Sequence, residues 1–370
     1  MRRFIRFPRD LYRGDPFWSP PLWMDERAAY SAETNAILAH SEYTLLLAED
    51  AGRVLGRSLV YVDHAFNDFY GARTGFFGAF ECVDDPAVAR ALDAETVAWL
   101  ARRGMTRVRG PIHPVSESWG FLLPGSTTAP VFMTPYNPPR YNDLMVGLGY
   151  GKVKDLLAYE GSTERGYQIP QRFSRFRERM LGQKTGLSVR PLSLKNLAAD
   201  ADAILRISNI ALKDNWGYVP VQRAEFQDMF RKLKTIVDPQ AVWFVEHRGV
   251  PVGFALGFPD LNVILRRIHG RLLPLGFLGL LFGIRKVRDY RLFGLAVLPE
   301  YHGRGLDALL YCELYRALAP RIRRLEANYI LEDNAKIRNA LEKLGLDLVK
   351  SYRVYEKALP PGSTVSSSTA

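Results

Sequence analysis

Cysteine, long apolar runs and recognition motifs for nucleic acid are all scarce in this chain, and each shortage removes a class of explanation. Two cysteines in 370 residues, Cys82 and Cys312, cannot build a disulfide framework or a thiolate metal cage. They suit a reducing compartment, so a cytoplasmic location is expected. No zinc-ligand spacing is present, and no metal is expected. The longest apolar run, Leu272 to Ile284, is 13 residues (LLPLGFLGLLFGI). As a helix it would reach about 20 Å, short of the roughly 30 Å hydrocarbon core of a bilayer. The N-terminal MRRFIRFPRDLYRGDPFW has no apolar stretch of signal-peptide length, because Arg6, Pro8, Arg9 and Asp10 interrupt it. Neither an RNP-like aromatic motif nor a helix-turn-helix pattern accompanies the basic pI of about 9.6, so nucleic acid is an unlikely partner.

What is present is an ordinary globular composition, 47% hydrophobic and 24% charged, on a length that favours two domains. The net charge is +11, and it is confined. Arg165 to Arg190 carries +6 and Arg266 to Arg291 another +6, so the remainder nets −1. Both segments also hold apolar residues. That pairing points to an acidic carrier, an anionic cofactor or peripheral contact with an anionic membrane.

The chain reads as one plan written twice. Tyr43 to Asp63 is an apolar run, a charged glycine turn and a second apolar run; Ala241 to Asp260 repeats it. Both predict β-hairpins, turning at Asp50-Ala51-Gly52 and at Arg248-Gly249. Each is followed by a strand-like stretch feeding a helix. These are Gly75 to Phe80 with a helix over 86–103, and Leu292 to Val297 with a helix over 305–319. Leu306, Leu310, Leu314 and Ala317 share one face of the latter. The expected division is 1–160, a basic amphipathic helix over 161–186, 187–359 with an insertion at 263–290, and a disordered Pro/Ser/Thr tail at 360–370. Arg172, Arg175 and Arg179 lie beside Phe173, Phe176 and Met180 on the 161–186 wheel. That helix either meets an acidic surface or packs on its own domains.

The most informative stretch is the strand-to-helix junction Pro299-Glu300-Tyr301-His302-Gly303-Arg304-Gly305-Leu306-Asp307. Two glycines there let backbone N–H groups approach a ligand, and the helix N-terminus behind them favours an anion, above all a phosphate. Arg304 adds a cation, and His302 either hydrogen-bonds a phosphate oxygen or is a simple loop histidine.

Gly294 to Leu310, GLAVLPEYHGRGLDALL, resembles the signature of the GNAT N-acyltransferases, in which a Gly-x-Gly loop grips the pyrophosphate of an acyl-CoA. Ile330-Leu331-Glu332-Asp333-Asn334 and Ala340 to Leu346 resemble the family's closing motif. Tyr43 to Glu160 looks like a degenerate copy, whose loop Cys82-Val83-Asp84-Asp85-Pro86 lacks glycine and carries two carboxylates. The resemblance implies an α/β (mixed α+β) protein of two tandem GNAT-like domains. Each would be a mostly antiparallel twisted sheet flanked by helices. It implies acyl-CoA or acetyl-CoA, or an acidic acyl carrier protein, as acyl donor and an amine as acceptor. Leu295, Val297, His302, Gly303, Arg304, Gly305, Leu306 and Asn334 would bind the donor. The backbone N–H groups at Leu295 to Val297 would polarise the thioester carbonyl.

Proton acceptors for the incoming ammonium are sought among Asp260, Asn262, Glu326 and Asn328. The first pair follows the hairpin; the second shares one face of a strand. Asp307 and Leu341 depart from the family pattern, Leu341 standing where many members carry an acidic tyrosine. They keep open the alternative of a non-catalytic acyl-CoA or lipid-binding protein on the same scaffold. The tandem plan, Pro259-Asp260-Leu261-Asn262 and the apolar–basic insertion look like bacterial enzymes that acylate long-chain amines, the ceramide synthases among them. A long acyl chain or a lipid amine would use an apolar wall that an acetyl group does not need.

Overall fold

A computed structural model describes residues 1–114, 118–223, 226–227 and 236–360. The expected tail at 361–370 lies outside the described residues. Twelve strands are used below: β1 (Ser41–Asp50), β2 (Arg53–Asp63), β3 (Thr74–Cys82), β4 (Arg107–Gly110), β5 (Phe121–Leu122), β6 (Gly151–Ser162), β7 (Leu187–Pro191), β8 (Val242–His247), β9 (Val250–Pro259), β10 (Asp289–Val297), β11 (Arg324–Leu331) and β12 (Asp347–Ala358). The helices that bear on the site are α1 (Arg2–Leu11), α2 (Pro86–Ala101), α3 (Gln171–Gly182), α4 (Leu197–Ala211), α5 (Asn262–Arg267), α6 (Gly276–Gly283), α7 (Leu306–Leu318) and α8 (Ala335–Lys343).

The expected hairpins form, and for the expected reason. Ala51 and Gly52 take φ of 45° and 79°, Arg248 and Gly249 of 53° and 77°. Two successive positive φ values match the right-handed twist of the flanking strands, which is what a two-residue hairpin turn needs. Asp50 then pairs with Arg53, and His247 with Val250.

By packing, the chain divides into two compact units that do not follow it linearly. Unit 1 is Met1–Leu156, Leu265–Pro274 and Ser351–Ala370; unit 2 is Leu157–Ile264 and Leu275–Lys350. The division falls inside β6, between Leu156 and Leu157, and inside β12, between Lys350 and Ser351. Residues 161–186, read from sequence as a segment between domains, lie within unit 2. There Phe173, Phe176 and Met180 of α3 pack against the unit 2 core. Arg172 donates to Lys343 O and Arg177 to the Glu313 carboxylate.

In unit 1 the order β1-β2-β3-β4 continues into the C-terminal part of β12. In unit 2 it is β7-β8-β9-β10-β11, then the end of β6. Each unit has one antiparallel hairpin sheet with one parallel pair, β3–β4 and β10–β11. Core side chains come from alternate strand positions and the apolar helix faces. In unit 2 Leu306, Leu309, Leu310, Leu314 and Leu318 of α7 meet Phe254, Leu292, Leu325 and Ala327. Residues 265–274 of the expected insertion belong to unit 1, where Trp23 Nε1 donates to His269 O at 3.0 Å.

Candidate active site

In unit 2, β10 and β11 begin side by side and then part. Their parallel pairing runs from Asp289–Arg324 to Leu292–Ala327, whereas β10 continues to Val297 and β11 to Leu331. A bulge at Phe293 shifts the β9–β10 register at the same level. Beyond it β10 stays paired with β9 alone, Leu295 opposite Ala255 and Val297 opposite Gly253. Leu298 N donates to Val252 O at 2.9 Å. Since hydrogen-bonded and non-bonded pairs alternate along an antiparallel ladder, the N–H groups of Val297 and Leu295 turn away from β9. They point toward the side on which β11 has left. The carbonyl of Val297 points the same way, and His302 Nε2 lies 2.8 Å from it.

A carbonyl only accepts, so His302 Nε2 is the donor in this contact. Through Nε2, His302 ties the loop to the strand end. Gly303 and Gly305 both adopt left-handed backbone, φ 76° and 75°. Open space surrounds the Cβ position of Gly303, whereas a Cβ on Gly305 would stand 2.6 Å from Phe176 Cζ of α3. Gly305 is the N-cap of α7 and provides no side-chain acceptor. The first N–H groups of α7 thus remain available together with their partial positive charge. Arg304 lies over the Tyr301 ring at 5.1 Å.

Below the parting of the strands lies a buried polar ladder on one face of β11, where Arg324, Glu326 and Asn328 alternate with core residues Leu325 and Ala327. Arg324 reaches Asp260 and Glu160 at 3.5 Å and Asp289 at 3.6 Å. One step on, Glu326 accepts from Lys350 Nζ and from Asn328 Nδ2, both at 2.7 Å. Arg291 Nε donates to Asn328 Oδ1 at 2.5 Å. The Glu326 and Lys350 side chains are both 0% exposed. Burying charges costs several kcal/mol per ion even when they are paired, and here each is held by a partner from another strand.

The sequence-predicted residues therefore separate into groups. Glu326 and Asn328 are in direct contact at the level where the strands part. Asp260 and Asn262 sit at the start of β10, where Asp260 N donates to Asp289 O and its carboxylate accepts from Asn262 N at 3.1 Å. Six residue steps of strand, about 20 Å, separate Asp289 at that end from Leu295. Asn334 caps α8, accepting from Ile337 N at 3.2 Å. Leu341 is buried in the core. Arg291, Lys350, Arg324, Asp289 and Glu160 had not been singled out. The alternation Asp289-Tyr290-Arg291, with both charges on one face of an otherwise apolar strand, was the available signal for two of them. Burial pushes the Cys312 thiol up to about 12, with Glu313 adding to it, so this cysteine is no nucleophile.

The corresponding loop of unit 1 is closed. Asp85 is the N-cap of α2, and its carboxylate accepts from Ala87 N at 2.8 Å. The β3–β4 pairing stops at Phe76–Arg109, but the chain after β4 then re-pairs, Ile112 N donating to Phe77 O at 2.8 Å.

The family model of the acetyltransferase (GNAT) family matches residues 208–346. Over 368 residues the chain is 32% identical to the bacterial ceramide synthase of Caulobacter vibrioides, covering 97% of this chain and 95% of that protein. It is 31% identical to protein YghO of Escherichia coli K12, covering 97% and 93%. A tandem GNAT protein from the clavulanic acid biosynthesis pathway shares the fold at a TM-score of 0.59 and 13% identity, over 98% of this chain and 95% of that one.

Proposed function

The chain belongs to the GNAT acyltransferase family, in tandem form, and from that premise we propose that unit 2 transfers a long acyl group from acyl-CoA to a lipid or sphingoid amine. N-acyl transfer itself comes with the family. The long chain and the lipid acceptor rest on the similarity to a bacterial ceramide synthase across nearly the whole chain.

The observation that carries the donor assignment is the opening of β10 from β11 directly before an uncapped helix N-terminus. The α7 N-terminus with Gly303, Gly305 and Arg304 would hold a pyrophosphate. The N–H groups of Leu295 and Val297 face the opening and would donate to the developing oxyanion. Acyl-CoA supplies an activated carbonyl whose thiolate leaves readily, its thiol pKa being about 8.5. A dedicated acid is worth about 10²–10⁴ in rate at most, which makes Leu341 in the tyrosine position tolerable. Glu326 would take the proton of the incoming ammonium, with Asn328 and Lys350 fixing its carboxylate and Arg291 fixing Asn328. Asp260 and Asn262, at the far end of β10, are assigned to the acceptor's path.

The test is thiol release from short- to long-chain acyl-CoAs with sphingoid, amino-acid and aminosugar acceptors. Release that rises with chain length and requires a sphingoid acceptor is expected. Release confined to acetyl-CoA and small polar amines would overturn the lipid assignment and leave the family assignment untouched.

A further inference from the structure

We propose that α6 is a membrane-docking element that seats unit 2 on an anionic lipid surface. The helix is built with its faces reversed. In a surface helix of a folded protein the large apolar side chains turn to the body and small or polar ones face water. Here Leu275, just before the helix, is 68% exposed, and Phe277, Leu278, Leu281 and Phe282 are 46%, 36%, 58% and 62% exposed. At about 100° per residue these side chains share one face. The side turned to the body includes Gly283, whose Cβ position lies 3.1 Å from Ile264 Cδ1. Gly276 and Gly283 share that side with the half-buried Leu280, and the other large side chains of the helix are held outward.

Two further features select a lipid surface over a protein partner. No polar side chain occurs between Leu272 and Ile284. A protein interface carries roughly one hydrogen bond per 100–200 Å², and this face offers no side-chain donor or acceptor. Immediately beyond it come Arg285, Lys286 and Arg288, all exposed. Apolar insertion beside a cluster of cations is the pattern that holds a helix in the interface of an anionic bilayer. At about 12 Å the helix lies on such a surface and does not cross it; no described helix is long and apolar enough to cross. The insertion joins β10 at Asp289, the end remote from the glycine loop. Docking stands without any assignment of substrate; joined to the function proposed above, it brings a lipid amine to the end of the cleft opposite the donor.

The test is co-sedimentation of the full chain with phosphatidylcholine vesicles, with and without phosphatidylglycerol, at low and high salt. The wild type is expected to bind the mixed vesicles and to be released by salt. Leu281→Ser combined with Phe282→Ser should weaken binding by about 10²–10⁴-fold, since two large apolar side chains leave the lipid. Arg285→Gln with Lys286→Gln should weaken it by about ten-fold. All four side chains are exposed, so both variants should keep the wild-type melting midpoint. No binding of the wild type to mixed vesicles at low salt, or equal binding by the serine variant, would overturn the proposal. So would a concentration-dependent dimer in sedimentation velocity that the serine pair dissolves, because α6 would then be covered by a second copy of the chain.

Discussion

At the N-terminus of α2 in unit 1, the Asp85 carboxylate accepts from Ala87 N; at the N-terminus of α7 in unit 2, Gly305 has no side chain to do so. The two helices occupy the same place in the same plan, after the same kind of strand. In the first, the chain's own carboxylate satisfies the helix end and fills the position an anion would take. In the second that position is left for a ligand. The parallel pairs differ in the same sense. In unit 1 the chain beyond β4 closes onto β3, with the Cβ position of Gly78 only 2.5 Å from Ile112 O and that of Gly110 only 2.4 Å from Phe77 O. Glycine in unit 1 allows a cleft to be zipped shut. In unit 2 it lines the loop of a cleft that stays open. Topology is common to both, and the chemistry depends on whether the chain itself supplies the occupant.

Buried charge sharpens the contrast. Unit 1 pairs Arg57 Nε with Glu81 Oε2 at 2.6 Å, and the same guanidinium donates to Phe4 O of α1 and lies 4.7 Å from the Phe4 ring. That pair anchors a helix. In unit 2 the Glu326–Lys350 pair is fully buried just below the point where β10 and β11 part. Lys350→Met is therefore expected to have the largest effect on stability, about 3–5 kcal/mol, by leaving Glu326 buried and unpaired. Denaturant unfolding measures it. Combining it with Glu326→Gln should recover most of that stability but leave kcat down by about 10²–10⁴. Recovered stability together with wild-type turnover would make the pair purely structural.

Gly303→Asp brings a carboxylate into the unit 2 loop two residues before Gly305, the N-cap position that Asp85 holds in unit 1. The space around the Gly303 Cβ position is open, and Asp tolerates the left-handed backbone, so the fold should persist. The new carboxylate should raise KM for the acyl-CoA about a hundred-fold, the scale of a lost charge-assisted hydrogen bond with repulsion added. Uncharged Gly303→Asn should do far less.

His113 gives unit 1 its own pH signature. Burial, with Arg57 nearby, lowers its pKa to about 3. A folded value below the unfolded one near 6.5 means the contribution is complete above pH 6.5 and is lost as pH falls toward 3. Wild type should lose about 1–2 kcal/mol relative to His113→Gln by pH 5, read as the difference between their unfolding curves. Smaller again, Asp85→Ala should cost about 1 kcal/mol through the lost cap without changing turnover. Ala51→Asn, which suits a left-handed turn position, should stabilise unit 1 by about 0.5 kcal/mol.

Much of this was legible because it is local. Hairpin turns, the strand–glycine–helix junction and the shared face of Glu326 and Asn328 follow from spacings of two to four residues. What escaped is long-range. Lys350 meets Glu326 only because β12 enters unit 2 before changing unit, and no spacing announces a partner 24 residues away. Phe176 was recognised as one face of a helix but not as the side chain that holds Gly305 to glycine. The contact of His302 with Val297 O likewise becomes visible only when the loop folds back. The apolar insertion reads from sequence as a wall for an acyl chain or lipid amine, because hydrophobicity alone does not say which way a helix faces. The helix α1 carries Pro8 in its interior, a breaker in isolation that packing of Phe4 and Phe7 overrides.

The central claim is that one of two similarly built units is open to an acyl donor. Calorimetric titration of the full chain with a non-transferable acyl-CoA analogue tests it most directly. One site per chain is predicted, lost in Gly303→Asp and kept in Asp85→Ala. Two sites per chain, or a single site indifferent to Gly303→Asp, would contradict it.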